Sequence, residues 1–183
     1  MILIGLAGPA RAGKNTVAEA MSFHLGPRVE MMAFADPLKD ACVSLFGLTK
    51  EERYDESLKE VVLQRWGLSP RQMYQDVGTM VRMQLGADFW VRRWELEYEK
   101  LPRDCAVIVT DVRFDNEADA IRKKGGIIVK VDRHALLQGD TAKHESEKGL
   151  WLDPDYVICN YSTLDSLISA AKLLARELYG RIR

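Results

Sequence analysis

Nine residues, Gly8-Pro9-Ala10-Arg11-Ala12-Gly13-Lys14-Asn15-Thr16, constrain this chain more than any other stretch. They follow the apolar run Ile2 to Ala7 and precede a segment with Val17, Ala18, Met21, Phe23 and Leu25 as apolar surface. A continuous apolar run ending in glycine predicts a short buried strand, and residues 14–25 then read as a helix. A glycine-rich turn from strand to helix, closing on Gly-Lys, is the setting of a phosphate-cradling P-loop. Gly8, Ala12 and Gly13 turn backbone N–H groups inward around phosphate oxygens, and the helix N-terminus adds partial positive charge. Lys14 would reach the β- and γ-phosphates of a bound nucleotide. Asn15 stands where serine or threonine would normally meet Mg²⁺, with Thr16 one place later. An amide oxygen accepts a hydrogen bond from a metal-bound water, so metal binding is expected through water. By itself the loop says only that a nucleotide is bound.

Further along, strands and helices alternate. Val29 to Ala35 reads as a second strand closed by Asp36-Pro37, and a helix runs from about Pro37 to Phe46. Residues 47–68 are less regular, and the charged stretch Lys50 to Glu60 is expected to be exposed. Ser69-Pro70 opens a helical region to about Lys100, broken near Gly86. Cys105 to Thr110 is a third strand ended by Asp111. A helix over 115–124, a strand over 127–131, a polar aperiodic stretch over 133–153, a strand over 156–159 and a helix over 163–179 complete the chain. The pattern predicts an α/β fold, a P-loop NTPase-like parallel five-stranded sheet with helices on both faces. A length of 183 residues fits one domain.

Composition excludes several classes. Lys and Arg total 26 against 27 Asp and Glu, a net charge of −1, which argues against a general nucleic-acid coat. No apolar run approaches the ~20 residues of a membrane span. The opening Met1 to Ala7 lacks a basic region and runs straight into Gly8, so a buried first strand is expected rather than a signal peptide. Cys42, Cys105 and Cys159 are odd in number and far apart with apolar neighbours, which predicts buried thiols in a reducing cytoplasm. The three histidines show no metal-ligand spacing.

Four further stretches narrow the reading: Phe34-Ala35-Asp36-Pro37-Leu38-Lys39; Ser69-Pro70-Arg71 with Gln75, Gly78-Thr79 and Arg82; Thr110-Asp111-Val112-Arg113-Phe114-Asp115-Asn116-Glu117; and His144-Glu145-Ser146-Glu147. In this order and spacing the chain resembles the deoxynucleoside monophosphate kinases of tailed bacteriophages and some bacterial genomes, over nearly its whole length. A loop ending Gly-Lys-Asn-Thr is itself similar to that family. The resemblance implies transfer of the γ-phosphoryl group of ATP to a (deoxy)nucleoside monophosphate, with Mg²⁺, in the cytoplasm (the host's, if the gene is viral). It implies a monomer or homodimer with no nucleic-acid polymer or membrane as partner. It divides the single kinase domain into a core (1–46, 101–132 and 154–183), an acceptor-binding helical region (about 47–100) and a lid (about 133–153).

The residues carry these roles in physical terms. Asp36, at a strand end, is a contact for the acceptor sugar, a base near the accepting phosphate, or a cap of the following helix. Asp111 is a Walker-B-like carboxylate for Mg²⁺, and Arg113 projects from the same edge toward the acceptor phosphate, which a guanidinium binds bidentately. Arg71 and Arg82 lie eleven apart, about three helical turns, and share a face if the helix is continuous. By resemblance they line the acceptor pocket with Asp36, Lys39, Gln75, Gly78, Thr79, Trp90, Asp111, Arg113, Glu117 and His144, Gln75 facing the base. Trp90, Trp94 and Phe89 also suit a core or pocket wall. Arg133 of the lid and Arg11 of the loop would supply positive charge to the transferring group. His144 is a hydrogen-bonding residue rather than a base, because the accepting oxygen is already anionic. Asn160, with Ser162, Thr163 and Leu164, resembles the loop beside the adenine of ATP, and Ser162 as a helix cap explains the same residues. Two other readings share the loop: a kinase of dephospho-coenzyme A or phosphomevalonate, and an ATP-binding sensor without catalysis.

Overall fold

The computed structural model describes residues 1–133 and 153–181. In chain order the elements are β1 (Leu3–Ala7), α1 (Lys14–Ser22), β2 (Val29–Met32), α2 (Asp36–Phe46), α3 (Lys50–Tyr54), α4 (Pro70–Leu85), α5 (Phe89–Tyr98), β3 (Ala106–Val112), α6 (Asp115–Lys123), β4 (Ile127–Asp132), β5 (Tyr156–Cys159) and α7 (Leu164–Gly180). They form two compact units, Met1–Ala33 with Lys100–Arg183, and Phe34–Glu99.

The first unit holds a five-stranded, all-parallel sheet in the order β2-β3-β1-β4-β5. β1 is central and buried at all five residues, as expected of a parallel strand covered on both faces. The edge strand β2 exposes Glu30 and Met31, and it stops at Met32, three residues short of the predicted end. α1 and α7 pack on the sheet through Val17, Met21, Ala171 and Leu174, part of a core with Ile4, Leu6, Ile108, Val129 and Val131. Burial of each Val, Ile, Leu or Met side chain among them contributes about 1.5–3 kcal/mol, far more than the exposed Arg28–Asp104 ion pair. α1 ends at Ser22, so Phe23 lies outside it and is 82% exposed rather than part of its apolar surface. The predicted caps and thiols also shift. Thr163, not Ser162, caps α7 by accepting from the Ser166 N–H at 3.2 Å, and Cys159 is exposed, while Cys42 and Cys105 are buried.

The second unit begins at Phe34, so it takes in α2 as well as the predicted helical region. Its core is Leu38, Cys42, Leu48, Met73 and Trp90, with Phe34 against Trp94 and Trp94 stacked on Tyr98. α4 is one continuous helix from Pro70 to Leu85. A capping box opens it: the Ser69 hydroxyl accepts from Gln72 N–H while the Gln72 side chain accepts from Ser69 N–H. Gly86, at φ +102°, ends it where the break was expected. Residues 47–68 are more ordered than their polarity suggests. Thr49 and Glu52 form a second capping box at α3, Leu63 bridges Leu68, and the Trp66 indole donates to the Phe46 carbonyl at 2.9 Å. The expectation of a wholly exposed charged stretch fails at Glu52 and Arg53, both buried.

Candidate active site

The strand order reverses beside β1: the chain leaves β1 toward β2 on one side and leaves β3 toward β4 on the other. In open α/β sheets the carboxyl edge at such a reversal is where ligands bind. Register makes the edge concrete. Ala7 is opposite Val112 of β3 and Lys130 of β4, so the loop starting at Gly8 emerges between Arg113 and Val131. A Cβ on Gly8 would lie 2.4 Å from the Val131 carbonyl oxygen, and its φ is +136°, so only glycine fits. Gly13, at φ +101°, hands the chain into α1. Lys14 Nζ bends back to donate to the carbonyls of Gly8 and Pro9, both at 2.8 Å, which holds its charge over the loop. Two neighbours brace the turn: Asn160 Nδ2 donates to Ala12 O at 2.9 Å, and Arg133 Nη1 donates to Arg11 O at 3.2 Å. Arg133, predicted in the lid, therefore stands at the phosphate loop, directly after β4. His144 and the rest of the predicted lid from 134 to 152 lie outside the described residues.

Asp111 does not end its strand, because β3 continues through it to Val112. The register slips between Gly5 and Ala7, so Thr110 and Asp111 together stand opposite Leu6. An extra residue of this kind locally re-aims side chains, and such features gather beside active sites. Arg113 follows at once, half-buried. Its backbone is fixed by Glu117, only 4% exposed, whose Oε2 accepts from the N–H groups of Arg113 at 2.8 Å and Phe114 at 3.1 Å. A buried carboxylate with two backbone donors is well satisfied, and its charge suits the first turn of α6. Glu117 thus holds the turn that carries Arg113, a role the acceptor-pocket assignment did not include. Asp132, at the end of β4, binds the Tyr161 hydroxyl, and that bond pushes the phenol up to about 12, so it stays a donor. For Mg²⁺ the available donors are Asn15, Thr16 and Asp111. Among the described residues no cluster of three or more His, Cys, Asp or Glu forms a closed metal cage. One carboxylate and two neutral oxygens fit Mg²⁺, which keeps several waters and binds largely through phosphate oxygens.

In the second unit Asp36 is the first residue of α2 rather than the end of a strand, since β2 stops at Met32. Its Oδ1 faces Lys39 Nζ at 3.5 Å and Arg53 Nη2 at 3.6 Å. On the continuous α4, Arg71, Tyr74, Gly78 and Arg82 fall on one face, with Gln75 beside it. Arg71 pairs with Glu60 at 2.5 Å, Arg82 and Gln75 are half-buried, and Thr79 is exposed. Gly78 and Trp90 have packing work: a Cβ at Gly78 would meet Leu38 Cδ2 at 2.9 Å, and the buried Trp90 indole donates to Gly78 O at 3.3 Å. Burial pushes the Cys42 thiol up to about 11 and raises the Tyr74 phenol, with the Arg53 charge opposing both.

Sequence reasoning missed Arg53, Tyr74, Asp132 and Tyr161. Tyr74 was legible from its spacing to Arg71 and Gly78, and the start of α3 from Thr49-x-x-Glu52. Asp132 and Tyr161 offered no local signal, because they meet only across the β4–β5 edge.

Among the described residues no helix is long and apolar enough to cross a membrane. The profile of the family described as "Deoxynucleotide monophosphate kinase" matches residues 50–171. A protein of Acanthamoeba polyphaga mimivirus, assigned as a deoxynucleotide monophosphate kinase, is 37% identical over 183 residues, covering 92% of this chain and 93% of its own. The deoxynucleotide monophosphate kinase of Enterobacteria phage T4 is 34% identical over 108 residues, 57% of this chain and 44% of its own. A crystal structure of a sugar kinase from Janibacter sp. HTCC2649 aligns over 97% of this chain and 98% of its own, at 14% identity and a TM-score of 0.46, too remote to bear on the reaction. With the phosphate loop, its flanking arginines and two viral relatives in agreement, the chain belongs to the deoxynucleotide monophosphate kinase family.

Proposed function

We propose that this chain transfers the γ-phosphoryl group of ATP directly to a deoxynucleoside monophosphate, giving the diphosphate and ADP. The observation that carries the reading is the register at the sheet edge: it brings the Gly8–Thr16 loop, Arg113 and Arg133 to one place. Backbone N–H groups of the loop take the ATP phosphates, and Lys14 exchanges its loop carbonyls for β- and γ-oxygens. Asn160 keeps the loop in shape through Ala12 O. Arg113, held by Glu117, takes the acceptor phosphate with a planar pair of donors, and Arg133 and Arg11 offset charge on the moving group. Within the second unit, the family resemblance assigns recognition of the acceptor nucleotide to Asp36, Lys39, Arg71, Gln75, Thr79 and Arg82. Asn15, Thr16 and Asp111 would hold Mg²⁺ through water, and the ion would supply positive charge against the phosphates of ATP. The accepting oxygen is already anionic, so no strong base is needed, and catalysis rests on positioning and charge.

The test is ADP release from ATP with each of the common deoxynucleoside and ribonucleoside monophosphates. Turnover with at least one deoxynucleotide is expected, and none with any of them, from folded protein that binds ATP, would overturn the reading. Lys14→Ala should lower kcat by about 10²–10³-fold, the usual worth of one preorganised charge donor. Arg113→Ala should raise the acceptor KM and lower kcat together. Wild-type rates in either variant would remove that residue from the mechanism.

A further inference from the structure

Arg53 lies in a charged stretch that reads as solvated surface, yet its side chain is only 8% exposed. An arginine is almost never buried without partners, because desolvating a charge is costly. Its partners come from α2. Nε and Nη2 both donate to Asp40 Oδ1, at 3.2 and 3.0 Å, and Nη2 lies 3.6 Å from Asp36 Oδ1. The guanidinium also sits 4.7 Å over the Tyr54 ring. The helix that presents it, α3, has five residues and could not stand alone. It is fixed by its capping box and by Glu52, which receives Arg65 at 2.9 and 2.5 Å.

The effect falls on Asp36. Lys39 and Arg53 both make their nearest approach at Oδ1, and no hydrogen bond reaches Oδ2 among the described residues. One oxygen faces two cations, at 3.5 and 3.6 Å, and the other is left as an open acceptor, on a side chain still 46% exposed. An ionised carboxylate only accepts, so its ligand must donate. Of the parts of a deoxynucleoside monophosphate, the phosphate is an anion and is repelled. The one donor present whatever the base is the sugar hydroxyl.

We infer that Arg53 is a positioning residue that orients Asp36, so that Asp36 Oδ2 accepts a hydrogen bond from the 3′-hydroxyl of the acceptor nucleotide. The inference rests on the kinase reading above. A lysine cannot replace Arg53, because its single ammonium nitrogen cannot reproduce the two separated guanidinium nitrogens that meet Asp40 while one of them faces Asp36.

The experiment compares kcat/KM for a 2′-deoxynucleoside monophosphate and its 2′,3′-dideoxy counterpart. Wild-type enzyme should prefer the first by about tenfold to a hundredfold, the range for one hydrogen bond to a charged group. Asp36→Ala should bring that ratio close to one, and Arg53→Gln should lower it at least threefold. Arg53→Lys keeps the buried charge and Asp40→Asn keeps an oxygen acceptor for the guanidinium, and both should lower the ratio in protein that stays folded. The double variant Arg53→Gln, Asp36→Ala should show no further loss beyond Asp36→Ala, because Arg53 acts through Asp36. A merely structural role would slow both substrates equally and leave the ratio intact. A wild-type ratio near one, or an unchanged ratio in the Arg53 and Asp40 variants, overturns the inference while leaving the kinase reading in place. Wild-type enzyme inactive on every monophosphate removes both.

Discussion

A methyl group on Gly8 would sit 2.4 Å from the carbonyl of Val131, on backbone whose φ of +136° already disfavours any side chain. Gly8→Ala should therefore cost about 1–3 kcal/mol or more and displace the loop, so ATP affinity falls with stability. Gly47 is the control. Its φ is also positive, +59°, but nothing lies within 4 Å of an added Cβ, so Gly47→Ala should cost about 1–2 kcal/mol and leave ATP binding intact. Chemical denaturation and ATP titration of both variants check this, and equal ATP affinities would contradict the steric account of Gly8. The loop residues were legible in the sequence because their signal is local: glycines, Lys14 and Asn15 within nine positions. Arg53 was not, because its burial is created by α2, thirteen residues upstream at Asp40. Cys159 misled for a related reason, since a thiol on the short edge strand β5 looks apolar in sequence but has one face open.

Two short helices show how capping carries chemistry. At α6, Glu117 ties the N–H groups of Arg113 and Phe114, so Glu117→Ala leaves two partly buried donors without their acceptor. That should cost about 1–3 kcal/mol and raise the acceptor KM through Arg113, with ATP KM little changed. Loss of stability with no change in acceptor KM would mean that the turn is not what aims Arg113. At α3, the Arg65 hydrogen bond, aided by the Thr49 N–H, holds the Glu52 carboxyl below its usual range. A lowered folded-state value means that this stabilisation is complete above the ordinary glutamate value of about 4.3 and is lost as pH falls through the folded value. The stability difference between wild type and Glu52→Gln should accordingly be larger at pH 7 than at pH 3. An equal difference at both would remove Arg65 pairing as its cause. Helix α4 was read correctly, with its start at Ser69-Pro70 and its end at Gly86, because both signals are written into its termini. Asp36 and Asp111 were both assigned to strand ends, and both moved. β2 stops early as an exposed edge, and β3 gains a residue opposite Leu6, neither of which hydrophobic runs can reveal.

The chain builds two units with separate cores, and the second is inserted between β2 and β3. The parallel sheet was legible because alternating strands and helices leave few other solutions. The strand order was not, since no single strand encodes its neighbours. That order is what turns a nucleotide-binding loop into the edge of an active site, by setting Arg113 and Arg133 on either side of Gly8. The central claim is the fate of one phosphoryl group. ATP labelled with ³²P at the γ-position, incubated with the enzyme, Mg²⁺ and a deoxynucleoside monophosphate, should pass its label to the β-phosphate of the deoxynucleoside diphosphate, with none retained on the protein. Label recovered only as inorganic phosphate, or bound to the enzyme, would contradict direct transfer between the two nucleotides.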